Sequence, residues 1–472
     1  MIDLRPGGGS SYSGGSHSSS SGGGGGGDGV GLFIDLIVLC LQYPAIGIPL
    51  VFVIIGYFAW KLRSSRGAGD WSSGGPSSSG PALVQREPPA WKTPPRTLAV
   101  IRAVDPRFSR IVFEDFLYSL YAEVHVARGA NQLNRLSAYL SEQAARALQA
   151  MAHAPVEGVI VGSLQVVDAT ASIAAGCRLV VGIEANYTEG KRGWYVAERW
   201  VLERAANAPS REPKRARILG CPSCGAPQEA LFAGTCKHCG KVVNDGSFDW
   251  TVQSITVLRR EEKPPMLTSN VEEEGTDEPT LLDAGLPVAI AALRTKDPAF
   301  EIDPFKRRIG LVFEQFQLAW TGRNLPQMRP FMSDALFTTQ QYWINAYLAQ
   351  HLRNVTEGTQ ITNIQLAKVV SDPYFDAITV RLFAKGLDYV VDDSGKVLSG
   401  SKSHQRAYSE YWTLVRGTNR KGPTRTDLAC PSCGAPLDIN MVGDCKYCKA
   451  KVTTGDFDWV LSKIEQDEAY GG

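Results

Sequence analysis

The feature that most constrains this chain is a cysteine motif used twice. Cys221, Cys224, Cys236 and Cys239 follow a C-x2-C-x11-C-x2-C spacing, and Cys430, Cys433, Cys445 and Cys448 repeat it 209 residues later. Two Cys-x-x-Cys knuckles so spaced bring four thiolates together at tetrahedral geometry, the arrangement zinc favours in a closed structural site. Pro222 and Pro431 fix the first turns, and Gly225, Gly240 and Gly434 follow a cysteine where a positive φ is often needed. Lys449 stands where the fourth such glycine is expected. The spacing predicts two structural zinc ions; iron or a redox dithiol pair is the competing reading. Cysteine at every position leaves no open site for Lewis-acid catalysis. His238 lies between Cys236 and Cys239, but Tyr447 holds the same place in the second motif, so no ligand role follows. Only Cys40 and Cys177 fall outside the clusters, a metal-ligand layout and not a secreted disulfide framework.

The cysteines belong to a longer repeat. Val112-Phe113-Glu114 recurs as Val312-Phe313-Glu314, Glu198-Arg199-Trp200 as Glu410-Tyr411-Trp412, and Phe248-Asp249-Trp250 as Phe457-Asp458-Trp459. The order is kept, so one module is used twice. Asp105-Pro106 and Asp303-Pro304 supply an N-cap and a proline for a first helical turn. Apolar residues then recur at helical spacing: Phe108, Val112, Phe116, Leu120, and Phe305, Ile309, Val312, Phe316. Further helices are expected over 131–152 and 324–352. Strands are expected near 158–168, 175–188 and 193–204, and near 360–371, 376–391 and 403–416. Cys177, Leu179, Val181 and Ile183 alternate with Arg178, Val180, Gly182 and Glu184, as a half-buried strand requires. Helices followed by an antiparallel sheet give the fold class α+β. Phe248, Trp250, Phe457 and Trp459 are expected to pack against the metal-folded knuckles.

Residues 1–30 read as a disordered Gly/Ser-rich segment, and a transmembrane helix is expected over 31–60. Leu36 to Trp60 carries no charge over 25 residues, long enough to cross the ~30 Å hydrocarbon layer with some tilt. Lys61, Arg63 and Arg66 follow it, while only Arg5 is basic before it. The positive-inside rule puts the N-terminus outside and the rest in the cytoplasm, a single-pass inner-membrane topology. Residues 61–97 read as a flexible tether. Two domains are expected over 98–208 and 286–417, two zinc ribbons over 218–258 and 427–466, and a mobile acidic linker over 259–285.

With 49 basic and 48 acidic residues the net charge is +1, which argues against a generic polyanion-coating protein. Basic residues do cluster before each ribbon: Arg211, Lys214, Arg215, Arg217, then Arg416, Arg420, Lys421, Arg425. Anionic lipid or nucleic acid would suit them. In the last strand Trp194, Val196, Glu198, Trp200 and Leu202 share one face, and Glu410 beside Trp412 repeats the pattern. A carboxylate on an apolar face needs a partner or a raised pKa. Arg178 and Arg381 are the expected partners; the alternative makes Glu198, Trp200, Glu410 and Trp412 the floor of a ligand pocket. No G-x-S-x-G, H-E-x-x-H or Walker-type loop is present, and the six histidines do not align between copies. The chain reads as a non-enzyme.

Asp297-Pro298-Ala299-Phe300, Phe313-Glu314-Gln315-Phe316-Gln317-Leu318-Ala319-Trp320 and Arg329-Pro330-Phe331-Met332-Ser333-Asp334-Ala335-Leu336 together resemble the Tim-forty-four-like (Tim44-like) domain. This is the C-terminal domain of the mitochondrial inner-membrane import-motor anchor and its bacterial relatives. Glu410-Tyr411-Trp412-Thr413-Leu414-Val415-Arg416 is similar to the family's E-x-W-T-x-x-R strand. The first module keeps Asp105-Pro106-Arg107-Phe108 and Glu198 to Arg204 but lacks the aromatic-Trp helix end. The resemblance implies cystatin-like (nuclear-transport-factor-two-like) domains around an apolar pocket, with membrane association, lipid binding and scaffolding of partner proteins, and brings no catalytic residues. The expectation is a membrane-anchored scaffold holding partner proteins or lipid. The alternative is a membrane-tethered nucleic-acid-binding protein.

Overall fold

The computed structural model describes residues 98–151, 154–262, 267, 276–467 and 470–472. The expected span and its flanking Lys61, Arg63 and Arg66 lie outside them, and among the described residues no helix is long and apolar enough to cross a membrane.

The first half opens with α1 (Ala99–Val104), α2 (Arg110–Gly129) and α3 (Glu142–Gln149), then β1 (Val156–Ser172), β2 (Gly176–Glu189) and β3 (Arg192–Arg204). The ribbon follows, with the short strands β4 (Leu231–Phe232) and β5 (Thr235–Cys236), and then β6 (Thr251–Glu262). The second half repeats the plan with α4 (Leu286–Lys296), α5 (Ile302–Thr321), α6 (Leu325–Met328), α7 (Asp334–Ala349), β7 (Leu352–Ser371), β8 (Phe375–Asp392), β9 (Val397–Gly417) and, after the second ribbon, β10 (Val460–Gln466). Each half carries one antiparallel four-stranded sheet, ordered β1-β2-β3-β6 and β7-β8-β9-β10. The α+β class holds, and both halves share one topology.

The differences from expectation are local. Asp105-Pro106 lies in the turn between α1 and α2; Ser109 caps α2 instead, its hydroxyl accepting the Val112 N–H at 3.2 Å. The helix expected over 131–152 shrinks to α3 plus a single 3₁₀ turn, Leu133–Leu136. Ser141 and Ser333 cap α3 and α7 with their side chains and donate their N–H groups to Val252 and Leu461, tying each cap to the strand after the ribbon. That strand is the main addition. Each sheet is completed only after its ribbon, so the expected boundaries between domain and ribbon run through one continuous sheet.

In the first half α2 lies on the inner face of the sheet. Phe116, Leu117, Leu120, Tyr121 and Val124 are buried against Leu179, Val181, Ile183, Val196, Trp200 and Leu202. The helical and two-residue periods each gather one apolar face, and burying each large side chain contributes about 1.5–3 kcal/mol. In the second half Phe305, Ile309, Val312, Phe313 and Phe316 meet Ile378, Val380, Leu382, Trp412 and Leu414.

The halves are not beads on a string. Ile160, Tyr195 and Ala197 of the first sheet belong to the same apolar core as Phe316 and Trp343 of the second half. Val112 and Ala216 pack with Phe375, Ala377 and Val415. Ser109 donates to Asp372 at 2.6 Å, Arg107 to Tyr374 at 3.1 Å, Arg217 pairs with Asp334 at 3.3 Å and Lys463 with Glu114 at 3.6 Å.

Much of the expected mobile linker is also structured. Glu261 and Glu262 end β6. Thr276 and Glu278 give their carbonyls to Arg381, the Leu281 N–H donates to the Tyr411 hydroxyl at 2.9 Å, and the Asp283 N–H donates to the Ala367 carbonyl at 2.9 Å. Residues 263–266 and 268–275 fall outside the described residues. A protease site placed between Leu267 and Thr276 is therefore expected to cut the chain without separating it. The two fragments should co-elute on size exclusion at low micromolar concentration, and separate elution would contradict this packing.

Glu184 adds a pH dependence. It is 5 % exposed, and burial pushes its carboxyl up to about 7, with Tyr195 and Arg259 pulling the other way. A carboxyl raised in the folded state contributes stability below the ordinary value of 4.5 that is lost as pH rises through about 7. Glu184→Gln should match wild type near pH 4.5 and exceed it by about 1–3 kcal/mol at pH 8.5. Denaturant melts at the two pH values check this; a pH-independent gap would rule out the titration.

Candidate metal centres

Each knuckle is a backbone turn closed around its first cysteine. The Cys221 N–H donates to the Ala226 carbonyl at 2.7 Å and the Gly225 N–H to the Cys221 carbonyl at 2.8 Å; Cys430, Ala435 and Gly434 repeat this at 2.7 and 2.9 Å. The turn leaves the residue after the second cysteine left-handed: φ is +77° at Gly225, +68° at Gly240, +74° at Gly434 and +61° at Lys449. Lys449 thus takes the glycine conformation at a cost of about 1–2 kcal/mol. Its ammonium donates to the Lys446 carbonyl at 2.9 Å, a partial offset.

The sulfurs converge as the spacing predicts. All four ligand atoms of each cluster lie within 4.8 Å of one another. Cys221 and Cys239 are 3.9 Å apart, Cys224 and Cys236 3.8 Å, Cys430 and Cys448 3.9 Å, Cys433 and Cys445 4.0 Å. A zinc tetrahedron with bonds of ~2.3 Å has sulfur edges of about 3.8 Å, whereas a disulfide would need about 2 Å. The residues fit a four-thiolate ion. His238 Nδ1 lies 3.7 Å from Cys224 Sγ, beside the quartet and not part of it. The thiols are unequal without metal. The Lys241 N–H brings Cys239 down to about 7 and the Ala450 N–H brings Cys448 down to about 6, while burial raises Cys221 to about 12. Metal therefore displaces protons, and its affinity should fall with pH.

The tryptophans after the ribbons do not cover the metal. Trp250 packs on Phe108 and Phe113, and Trp459 on Phe300 and Phe305, in the domain cores. Phe457 does stay with the ribbon, against Cys430 and Cys445. Over each tryptophan lies a buried arginine, Arg204 at 4.8 Å and Arg416 at 4.6 Å from the ring centre. Each arginine pairs with an aspartate that precedes the long helix: Arg204 with Asp105 at 2.5 Å, Arg416 with Asp297 at 2.9 Å. Three distant parts of the chain thus meet in an Asp–Arg–Trp stack in both halves. The sequence held the signal, since Asp-Pro-x-Phe and the strand-ending arginine both recur.

Glu198 and Glu410 are 0 % and 1 % exposed, and Trp200 and Trp412 are 0 % exposed. Each carboxylate accepts the indole N–H two residues on, at 2.7 and 2.9 Å. The expected arginines are elsewhere: Arg178 lies near Asp168 and Glu203, and Arg381 pairs with Asp467 at 3.0 Å. In the first half His125 supplies a second partner, its Nε2 3.6 Å from Glu198, while its Nδ1 accepts from Arg128 at 3.0 Å. Burial would raise Glu198, but His125 and the Trp200 bond outweigh it and hold its pKa below the usual value. These four side chains are sealed between helix and sheet.

The basic stretches are largely spent internally. Arg211 pairs with Asp249 at 2.6 Å and stacks on Phe116, Arg217 reaches Asp334, and Arg416 is held by Asp297. Arg420 donates to the Phe457 carbonyl at 2.7 Å, and Arg425 pairs with Asp427 at 2.8 Å. Lys214, Arg215 and Lys421 are exposed.

Residues 287–424 match the Tim44-like domain. The match begins in α4 and ends before the second ribbon, well under half of the chain. No curated protein matches the chain.

Proposed function

We propose that this protein is a membrane-anchored, non-enzymatic scaffold. It is anchored by the apolar segment 36–60 with the N-terminus outside, and its folded body faces the cytoplasm to hold partner proteins or lipid. The observation that carries the reading is the Tim44-like domain at 287–424, built into a body that shares its core with the first half. Helices on one face of a four-stranded antiparallel sheet suit the cystatin-like architecture that the resemblance implies, and the repeated topology supports reading the first half as a second copy. The two four-cysteine sites are read as structural zinc. The nucleic-acid alternative has less support, because Arg211, Arg217, Arg416 and Arg425 already face carboxylates.

The test is recovery of tagged full-length protein from membranes at near-native expression. The expected result is a carbonate-resistant membrane protein that brings down defined partners. A soluble protein, or a membrane protein with no reproducible partner, would count against the reading.

A further inference from the structure

The two ribbons share a frame but not a surface. In the first, Phe232 of β4 stands opposite Thr235 of β5, and Thr235 stands opposite Val242. Directly opposed residues of antiparallel strands put their side chains on one face, so the three form a row across the ribbon. The other face is turned inward: Leu231 and its partner Cys236 are 4 % and 0 % exposed. The row meets solvent, with Phe232 53 % and Val242 55 % exposed, and exposed Ala233 continues it at the hairpin tip. The second ribbon fills the matching positions with Asn440, Asp444 and Lys451. Lys451 is spent there on Asp334, at 2.9 Å. The metal-binding frame therefore does not require an apolar row.

Charge divides the ribbons in the same way. Residues 213–248 hold five Lys and Arg against two carboxylates, whereas the equivalent 422–457 hold four against four. A four-thiolate zinc ion would add the same charge to each, so the difference stands. In the second ribbon Arg425, Lys446 and Lys451 pair with Asp427, Asp438 and Asp334. In the first, Arg217 pairs with Asp115 and Asp334, but Lys214, Arg215, Lys237 and Lys241 are exposed and face no carboxylate among the described residues. Two of these flank the row: the Lys237 ammonium lies 4.9 Å from the Phe232 ring centre, and Lys241 precedes Val242. The two acids of this stretch are engaged, Glu229 with Arg135 at 3.4 Å and Asp245 with the Ser247 N–H at 3.0 Å.

We propose that this row is a docking surface for an anionic bilayer. An apolar stripe rimmed by unpaired cations matches a membrane interface, where acyl chains lie behind negative headgroups. Chain length favours a bilayer over an acidic protein segment. Residues 61–97 alone separate the expected span from the first described residue, so even fully extended they hold the body within about 130 Å of the leaflet. So close to its target, a patch too weak to bind from solution is enough. This step rests on the membrane-anchored reading; the row and its charges do not.

Full-length protein is placed in nanodiscs of phosphatidylcholine, alone or with about 30 % phosphatidylglycerol, and amide hydrogen exchange is followed over residues 230–243. Exchange should slow about threefold with phosphatidylglycerol, the mark of a patch covered two thirds of the time, and the effect should fade at high salt. Phe232→Ser with Val242→Ser should abolish it, as should Lys237→Gln with Lys241→Gln; all four side chains are exposed, so metal content should not change. Met441→Ser with Val442→Ser, at the exposed tip of the charge-balanced second ribbon, should leave it intact. Equal exchange in the two lipids, or slowing that survives in both first-ribbon variants, overturns the docking surface. If the chain does not enter nanodiscs, the anchored reading fails, and vesicles of the same two compositions are added to the protein instead. Slowing by phosphatidylglycerol vesicles then keeps the docking surface, and no slowing overturns it too.

Discussion

Cys430→Ser should cost at least about 3–5 kcal/mol of stability, and chelation of wild type should cost a similar amount or more. The bound ion supplies the folding energy of so small a ribbon, about 10–16 kcal/mol in isolated zinc-finger peptides. The loss spreads beyond the ribbon. Arg329, 2 % exposed, donates to the Met441 carbonyl at 2.8 Å and the Val442 carbonyl at 3.0 Å, and Lys451 pairs with Asp334 at 2.9 Å. Unfolding the ribbon takes two carbonyl acceptors from a buried guanidinium, which keeps only Asp334 and the Met332 carbonyl, and removes the segment that delivers β10 to its sheet. Denaturant melts of Cys430→Ser with and without chelator check this. The variant should be insensitive to further chelation at its second site, and wild-type metal should be extracted more readily as pH falls below about 7. Unchanged stability in the variant would mean the thiols carry no metal.

Arg416→Met should destabilise the protein by about 3–5 kcal/mol, because Asp297, 2 % exposed, would keep its charge without its partner. Asp297 also accepts the Gly422 N–H at 3.1 Å, so the start of the ribbon segment should loosen with it. Replacing both partners, Asp297→Leu with Arg416→Met, should recover much of the loss, since an apolar pair leaves no buried charge. A double-mutant cycle measures the coupling. The cycle on Asp105 and Arg204 should give the same sign, as those residues hold the same stack in the first half. Additive losses at either pair would show the contact to be incidental.

The ribbons were legible because their constraint is local: four ligands, tight turns and one spacing. The fourth strands were not. Thr251 and Val460 begin strands that pair with β3 and β9, while a whole ribbon intervenes in the sequence, and no local pattern announces so distant a partner. The recurring Phe-Asp-Trp before each one was visible, but its tryptophan serves the domain core and not the metal. Partner choice for the buried glutamates failed on strand parity. Ile183 stands opposite Glu198 and Leu382 opposite Glu410, so Arg178 and Arg381 point to the other face. Non-alignment of the histidines hid His125, which serves one half alone. The acidic linker misled because charge marks solvent exposure only on average; Glu261 sits in a ladder and pairs with Arg259 at 2.7 Å.

The most direct test of a rigid double domain held by two metal-closed ribbons is native mass spectrometry of residues 97–472. The account predicts two zinc ions per chain, both lost together with ribbon structure on chelation. A lipid-sized adduct beside the zinc would direct the scaffold reading toward lipid, and its absence toward protein partners. A metal-free chain, or one with iron or disulfides in place of zinc, would contradict the account at its foundation.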